Sequence, residues 1–182
     1  SLRSALAKED ITRLYQHQAE GLSRFRNGEN VVIATPTASG KSLIYNLALV
    51  ELLSKEKNGH GLYLFPLKAL AQDQYQAFVS FNQELPSELQ LEAAVYDGDT
   101  PPSRRRRIKE NLPHLIISNP DMLHASILPY HPKWCRFFSE LRYVVLDEVH
   151  TYRGVLGAHV SCMLRRLLRI CEHYGSRPVF LC

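Results

Sequence analysis

The feature that most constrains this chain is the alternation of short, continuous apolar runs with longer stretches of helical periodicity. The runs are Val31-Val32-Ile33-Ala34-Thr35, Gly61-Leu62-Tyr63-Leu64-Phe65, Glu92-Ala93-Ala94-Val95-Tyr96, His114-Leu115-Ile116-Ile117-Ser118, Tyr143-Val144-Val145-Leu146-Asp147 and Pro178-Val179-Phe180-Leu181-Cys182. Successive side chains of a strand point to opposite faces, so a run that is apolar at consecutive positions must be covered on both. Between the runs, apolar positions recur with a helical period over 10–27, 41–54, 67–81, 102–110, 120–127 and 155–173. Strand–helix–strand repetition with both faces covered specifies an α/β protein, a three-layer α/β/α sandwich around a mainly parallel sheet. Ligands of such sheets collect outside the carboxyl ends of the strands, so chemistry is expected directly after each run. The chain carries no internal repeat or low-complexity tract, Pro86-Ser87-Glu88 reads as a surface loop, and one domain over 1–182 is the economical organisation.

Composition narrows the setting. No stretch reaches the roughly 20 apolar residues of a membrane span, and the N-terminus lacks a secretory pattern. The expected setting is therefore the cytoplasm, or the nucleus of a eukaryote, with no membrane partner. A net charge of +4 favours a polyanion but is too small to decide anything. The four cysteines, at 135, 162, 171 and 182, form no CxxC pair, so reduced, packed thiols are expected rather than a zinc site or disulfide scaffold.

The first run leads into Thr35-Pro36-Thr37-Ala38-Ser39-Gly40-Lys41-Ser42, and an apolar-periodic helix follows from Leu43. Pro36 biases Thr35 toward extended backbone, as a strand end requires. A tight loop feeding a helix N-terminus aims backbone N–H groups and the positive end of the helix dipole at one point, a ready anion site. Lys41 is then placed to reach the β- and γ-phosphates of a nucleotide and the Ser42 hydroxyl to ligate Mg²⁺. The loop departs from the usual G-x-x-x-x-G-K-[ST] spacing, because Thr35 stands at the first glycine. An ordinary Ser/Gly loop with a surface lysine would share these letters; the strand–loop–helix setting favours the phosphate reading.

The fifth run ends in Asp147-Glu148-Val149-His150. A carboxylate at the tip of a buried parallel strand projects into the same crevice. Asp147 is suited to hold Mg²⁺ and Glu148 to orient or deprotonate an attacking water, with His150 linking this site to its neighbours. A surface acidic turn is the competing explanation, and it weakens once the upstream phosphate loop is counted.

Taken together, these motifs resemble superfamily 2 helicases of the DEAD/DEAH-box type over nearly the whole chain. TPTASGKS (35–42) resembles motif I, PLKALAQDQ (66–74) motif Ia, SNPDM (118–122) motif Ib and DEVH (147–150) motif II. YDGDT (96–100) is similar to the loop between Ia and Ib. Leu14-Tyr15-Gln16-His17-Gln18 resembles an adenine-recognising Q-type motif, which makes Gln18 the adenine contact, although a glutamine on an amphipathic helix is more often a solvated residue. More narrowly, LYQHQAEGL, ATPTASGKSLIYN, ALAQDQ, YDGDTP, NPDMLH and HTYRGVLGAHV resemble the MrfA/Hrq-type DNA helicases, 3′–5′ translocases associated with DNA repair. Lys68-Ala69-Leu70 and His150 set the chain apart from typical RNA-directed DEAD-box proteins.

The resemblance implies a RecA-like lobe that binds ATP with Mg²⁺ and grips a nucleic acid, single-stranded DNA in preference to RNA. A translocating machine holds the sugar-phosphate backbone rather than base edges. The matching positions are Lys68, Gln72, Gly98 and Asn119, with Asp121 expected to cap the helix that follows. Arg104 opens the run Arg104-Arg105-Arg106-Arg107, which reads either as a phosphate-binding stretch or as a solvated helix face. Arg153 either bridges the ATP and nucleic-acid sides or is a surface charge. On the helix over 155–173, Met163, Leu164, Leu167, Leu168 and Cys171 fall at core spacing, and Trp134 is expected to pack rather than stack on a base. Neither a motif III nor a second lobe with its arginine finger is present in the sequence, so this chain alone is expected to bind nucleotide weakly, hydrolyse it poorly and unwind nothing. An RNA helicase lobe and a nucleotide-switched binding module stay open as alternatives.

Overall fold

The computed structural model describes residues 6, 11–35, 39–56 and 58–182. The regular helices are α1 (Gln16–Arg26), α2 (Lys41–Lys55), α3 (Lys68–Gln83), α4 (Pro102–Glu110), α5 (Pro120–Met122), α6 (Cys135–Ser139) and α7 (Gly154–His173). The strands are β1 (His60–Leu64), β2 (Ala93–Val95), β3 (Leu115–Ser118), β4 (Leu141–Leu146) and β5 (Val179–Leu181). They form one sheet in the order β2-β3-β1-β4-β5, and every pairing is parallel.

Alternate residues of each strand feed two separate cores, which is why the runs carry apolar side chains at every position. Tyr63, Leu115, Ile117, Tyr143 and Val145 face α1, α2 and α3, where Phe25, Ile44, Leu47 and Phe78 are buried. Leu62, Leu64, Ile116, Val144 and Leu146 face the other way, onto Ile108, Leu123, Trp134, Phe137, Met163 and Leu167. The result is the expected three-layer α/β/α sandwich. Gly61 lets α2 settle on the sheet, since a Cβ there would stand 2.8 Å from Leu49 Cδ1. Among the described residues no helix is long and apolar enough to cross a membrane.

Several local expectations need correction. The first apolar run is not a full strand: Val31 makes an isolated parallel bridge to Leu181, and the Val31 and Ile33 N–H groups donate to Phe180 and Cys182 carbonyls at 2.8 Å each. This run lies outside β5 with a partner on one side only, so its pairing is short. Of the helix expected over 10–27, residue 10 lies outside the described residues, 11–15 are not helical and the helix spans Gln16–Arg26; Tyr15 is extended, and Gln18 Oε1 accepts its N–H at 2.9 Å, which closes the helix N-terminus. The helix expected over 120–127 is α-helical only to Met122, then widens to a π turn over Leu123–Ile127 and tightens to a 3₁₀ segment over Leu128–Trp134. Pro129 and Pro132 donate no backbone hydrogen bond and cannot continue an α-helix. Asn119, not Asp121, caps α5, its side chain accepting the Met122 N–H at 2.8 Å. The loop at 86–88 contains a 3₁₀ turn, Ser87–Leu89.

On α7, Met163, Leu167 and Cys171 are buried and Leu164 half-buried, but Leu168 is 43% exposed and Val160 and Ile170 complete the core stripe instead. All four thiols are free, yet only Cys171 is fully packed; Cys135 and Cys162 are exposed. Burial pushes the Cys171 thiol up to about 11, which keeps it protonated and inert. Trp134 is 1% exposed, in the core as expected.

Candidate functional site

The phosphate-loop residues Pro36, Thr37 and Ala38 lie outside the described residues; the two ends of the loop are described. At its exit, Gly40 is the N-cap of α2 with φ +75°, a left-handed conformation that costs a side-chain-bearing residue roughly 1–2 kcal/mol. A Cβ at Gly40 would stand 2.6 Å from Gln18 Nε2. Glycine therefore serves twice here, in backbone conformation and in clearance. Across the neck of the loop, the hydroxyls of Thr35 and Ser39 lie 2.6 Å apart, and Lys41 Nζ donates to the Thr35 carbonyl at 3.4 Å. Thr35, which replaces the usual first glycine, thus ties the strand end to the far side of the loop. α1 braces the loop from outside: Gln18 Nε2 donates to the Gly40 carbonyl at 3.0 Å, and His17 Nε2 lies 3.1 Å from the Ser39 carbonyl oxygen.

The acidic pair sits at the tip of β4. The Asp147 N–H extends the sheet ladder by donating to the Leu64 carbonyl at 3.1 Å, and Asp147 Oδ1 accepts the Glu148 N–H at 2.8 Å. Glu148 has φ +52° and is the described non-glycine residue with a positive φ. Strain of this kind, on the order of 1–3 kcal/mol, persists only where surrounding contacts hold it. Those contacts are visible: the Thr151 hydroxyl donates to the Glu148 carbonyl at 2.8 Å, and His150 Nδ1 lies 3.2 Å from Glu148 Oε2. The left-handed turn breaks the strand direction and directs the Glu148 side chain differently from the regular pleat.

Between the 31–35 segment and β4 lies β5, so the two site-bearing strand ends are two strand spacings apart, about 10 Å. Tyr45, the third residue after Ser42, packs under β1, edge-on to Tyr63 with ring centroids 4.8 Å apart. Burial raises its phenol well above the ordinary range; the charges of Asp147 and Glu148 raise it further, and the Ser42 hydroxyl acts in the opposite sense. One buried ring therefore senses Ser42 and both carboxylates at once. Tyr152 behaves similarly, raised by burial first and then by Asp147 and Asp121, with its buried hydroxyl lacking a partner.

Beside the loop, a cavity of about 930 Å³ opens among α1, α2 and α3, lined in part by Tyr15, Gln18, Gly40, Ser42, Asn46 and Phe81. Gln18 is 4% exposed, so it is a buried residue and not part of a solvated helix face.

The proposed nucleic-acid positions divide into two sets. Lys68 begins α3 and pairs with both Asp99 carboxylate oxygens, at 2.8 and 2.9 Å. It also borders Gly98, where a Cβ would stand 3.3 Å from Lys68 Nζ. Gln72 is exposed on the same helix, and Asn119 is buried at the end of β3. Of the arginine run, Arg105 is structural: its Nη2 donates to the Asp97 and Gly98 carbonyls at 2.8 and 2.9 Å, and its guanidinium lies over the Tyr96 ring. Arg106 pairs with Glu110 at 2.7 Å. Arg104 and Arg107 are exposed and line a groove of about 910 Å³ along edge strand β2. Arg153 is the N-cap of α7 and donates to the His150 carbonyl at 2.9 Å, which binds it to the acidic box.

An all-parallel sheet with a phosphate loop on the α2 N-terminus, and an acidic pair one strand removed, is the architecture of a RecA-like P-loop lobe. The sequence profile of the DEAD/DEAH box helicases matches residues 15–179, and the chain belongs to that family. It is 46% identical over 181 residues to the ATP-dependent helicase YprA of Bacillus subtilis, covering 100% of this chain and 24% of that protein. It is 48% identical over 158 residues to the ATP-dependent helicase HRQ1 of Saccharomyces cerevisiae, covering 87% of this chain and 15% of that one. The crystal structure of the DUF1998 helicase MrfA bound to DNA and AMPPNP superimposes with a TM-score of 0.93 at 46% identity, over 100% of this chain and 25% of that chain. The chain thus spans about a quarter or less of the length of these relatives.

Residue-by-residue reading missed Tyr45, His17, Arg105, Asp99 and Tyr152. Tyr45 carried a signal, because residues three apart on a helix are neighbours and Ser42 was already singled out. The others stand inside the motifs quoted above, but their contacts join segments that periodicity does not pair.

Proposed function

We propose that this chain is the ATP-binding lobe of an ATP-dependent DNA helicase or translocase, in which hydrolysis drives 3′–5′ movement along single-stranded DNA in a repair setting. The observation that supports this reading is the placement of the 39–42 loop end at the N-terminus of α2 and of Asp147-Glu148 at the carboxyl end of β4, on one parallel sheet. The relatives named ATP-dependent helicases, and the DNA- and AMPPNP-bound form of MrfA, support the choice of nucleotide and of DNA.

The donor set suits a magnesium-bound triphosphate. A hydroxyl and a carboxylate are the hard oxygen ligands that Mg²⁺ takes, with nucleotide phosphates and water completing its shell. Mg²⁺–ATP supplies the phosphoanhydride that water cleaves. Ser42 and Asp147 hold the cation, and Lys41, released from the Thr35 carbonyl, neutralises the phosphates. The α2 N-terminus, capped by a glycine that offers no competing side chain, would present its free N–H groups to the phosphates. Glu148 orients and deprotonates the water, and His150, 3.2 Å away, holds the carboxylate in position. Gln18, at the mouth of the cavity, reads the adenine edge with its amide. Lys68, Gln72, Gly98, Asn119, Arg104 and Arg153 grip the DNA backbone. A second RecA-like lobe of the same protein completes the γ-phosphate site. The four free thiols fit a reducing compartment, cytoplasmic or nuclear.

The test is Glu148→Gln in the natural full-length protein, with steady-state hydrolysis followed in the presence of single-stranded DNA or RNA. Turnover is expected to fall by about 10²–10⁴, with ATP binding retained and DNA the better stimulant of the unaltered protein. Stimulation by RNA alone would assign an RNA motor. Unchanged behaviour of Glu148→Gln would assign a nucleotide-dependent switch instead.

A further inference from the structure

Tyr45 is 2% exposed, yet its hydroxyl reaches out of α2 to a different helix. It donates to Gln74 Oε1 on α3 at 3.1 Å. The ring cannot swing freely: it stands edge-on to Tyr63 with centroids 4.8 Å apart, and the Tyr63 hydroxyl donates to the Tyr45 carbonyl at 3.0 Å. Tyr45 lies four residues after Lys41 and three after Ser42, on the helix whose N-terminus carries the phosphate loop. Gln74 lies six residues after Lys68 and two after Gln72, on the helix whose N-terminus carries the proposed backbone-gripping lysine. One hydrogen bond thus joins the two helices that hold the two proposed binding surfaces.

We propose that the Tyr45–Gln74 hydrogen bond is the link through which occupancy at the α2 N-terminus and nucleic acid at the α3 N-terminus sense one another. Tyr45 is then a positioning residue that touches neither ligand. This inference rests on the motor reading given above. In that bond the Tyr45 hydroxyl is the donor and Gln74 Oε1 the acceptor. A Ser42 hydroxyl engaged by a cation would be drawn from Tyr45, which would leave Gln74 as the phenol's anchor. Displacement of α2 is then carried to α3 instead of being absorbed, because breaking the bond strands the buried Tyr45 donor. Coupling between two sites is reciprocal, so DNA held at α3 must alter nucleotide affinity by the same factor that nucleotide alters DNA affinity.

The experiment uses the natural full-length protein with Mg²⁺, ATP and a single-stranded oligonucleotide, comparing Tyr45→Phe, Gln74→Leu, the double variant and Gln74→Glu. DNA stimulation of hydrolysis is expected to fall about five- to tenfold in each of the first two. The double variant falls no further, and Gln74→Glu, which keeps an acceptor oxygen, retains the stimulation. Nucleotide affinity without DNA, read with a fluorescent ATP analogue, stays within about twofold, while the mutual effect of the two ligands on each other's affinity shrinks equally in both directions. Gln74 is half-buried on α3, so Gln74→Leu answers the question even if Tyr45→Phe fails to fold. Stimulation that survives in a folded single variant, losses that add in the double, or a basal affinity that falls as far as the stimulation would each overturn the link. If the unaltered protein is stimulated and the variants are too, only this inference fails. An unaltered protein that no single-stranded DNA stimulates removes the motor reading as well.

Discussion

Two backbone positions at the site adopt conformations that an ordinary side chain disfavours, and they are resolved in opposite ways. At position 40 the chain uses glycine, with φ +75° and Gln18 Nε2 within 2.6 Å of where a Cβ would stand. At position 148 the residue is glutamate at φ +52°, held by Thr151 and Asp147 on either side. The difference follows from chemistry on the function proposed above: the loop uses only backbone at 40, whereas that function calls for a carboxylate at 148, and the strain is tolerated. Gly40→Ala is therefore expected to destabilise the fold by about 2 kcal/mol, combining left-handed strain with loss of the Gln18 hydrogen bond. Urea denaturation checks this, and an unshifted midpoint would show that the loop accommodates a methyl group freely.

Among the elements, α7 shows how far periodicity can be trusted. Leu167 and Leu168 are adjacent leucines, but Leu167 is fully buried and Leu168 is 43% exposed. Leu167→Ala should cost about 2–5 kcal/mol through lost burial and a residual cavity, and Leu168→Ala should fall within about 0.5 kcal/mol of the unaltered protein. Thermal or chemical denaturation of the pair decides it; similar losses at both would mean that α7 is packed on a different face. The segment 120–139 went furthest from expectation. Its apolar residues Leu123, Ile127, Leu128, Trp134, Phe137 and Phe138 are all buried, yet its backbone passes through α, π and 3₁₀ geometry to bring them there. Two prolines deny it a regular helix, and the core is served by a kinked one.

At the scale of the whole molecule, the sheet separates chemistry from stability. The candidate site occupies the carboxyl ends of the strands, while a buried histidine, His60, and a half-buried one, His114, stand at the opposite ends. His60 opens β1, with Nδ1 2.9 Å from the Pro113 carbonyl oxygen, and His114 precedes β3, its Nδ1 accepting the Glu92 N–H at 3.0 Å. Burial lowers both below the ordinary histidine value; Glu140 and Glu92 act the other way without overcoming it. A histidine whose folded value is depressed contributes stability that is present above its unfolded value of about 6.5 and lost as pH falls through the folded value. Stability should therefore decline between about pH 7 and about pH 5, and His60→Gln should flatten that decline in denaturation midpoints measured across the range. A decline of the same steepness in His60→Gln and His114→Asn would exclude these groups as its source.

Sequence alone showed the strand–helix alternation and the family, and it marked the candidate phosphate loop and acidic box, because each is written in contiguous residues whose spacing is itself the signal. The two-faced core was also legible, since runs without a polar alternate admit only a sheet covered on both sides. Tertiary structure alone decided that Gln18 braces Gly40, that Arg105 serves the backbone of the 97–98 turn, and that Tyr45 meets Gln74. These contacts join residues from 7 to 29 positions apart on different elements. Such pairings depend on helix placement over the sheet, to which hydrophobic periodicity contributes a face but no partner.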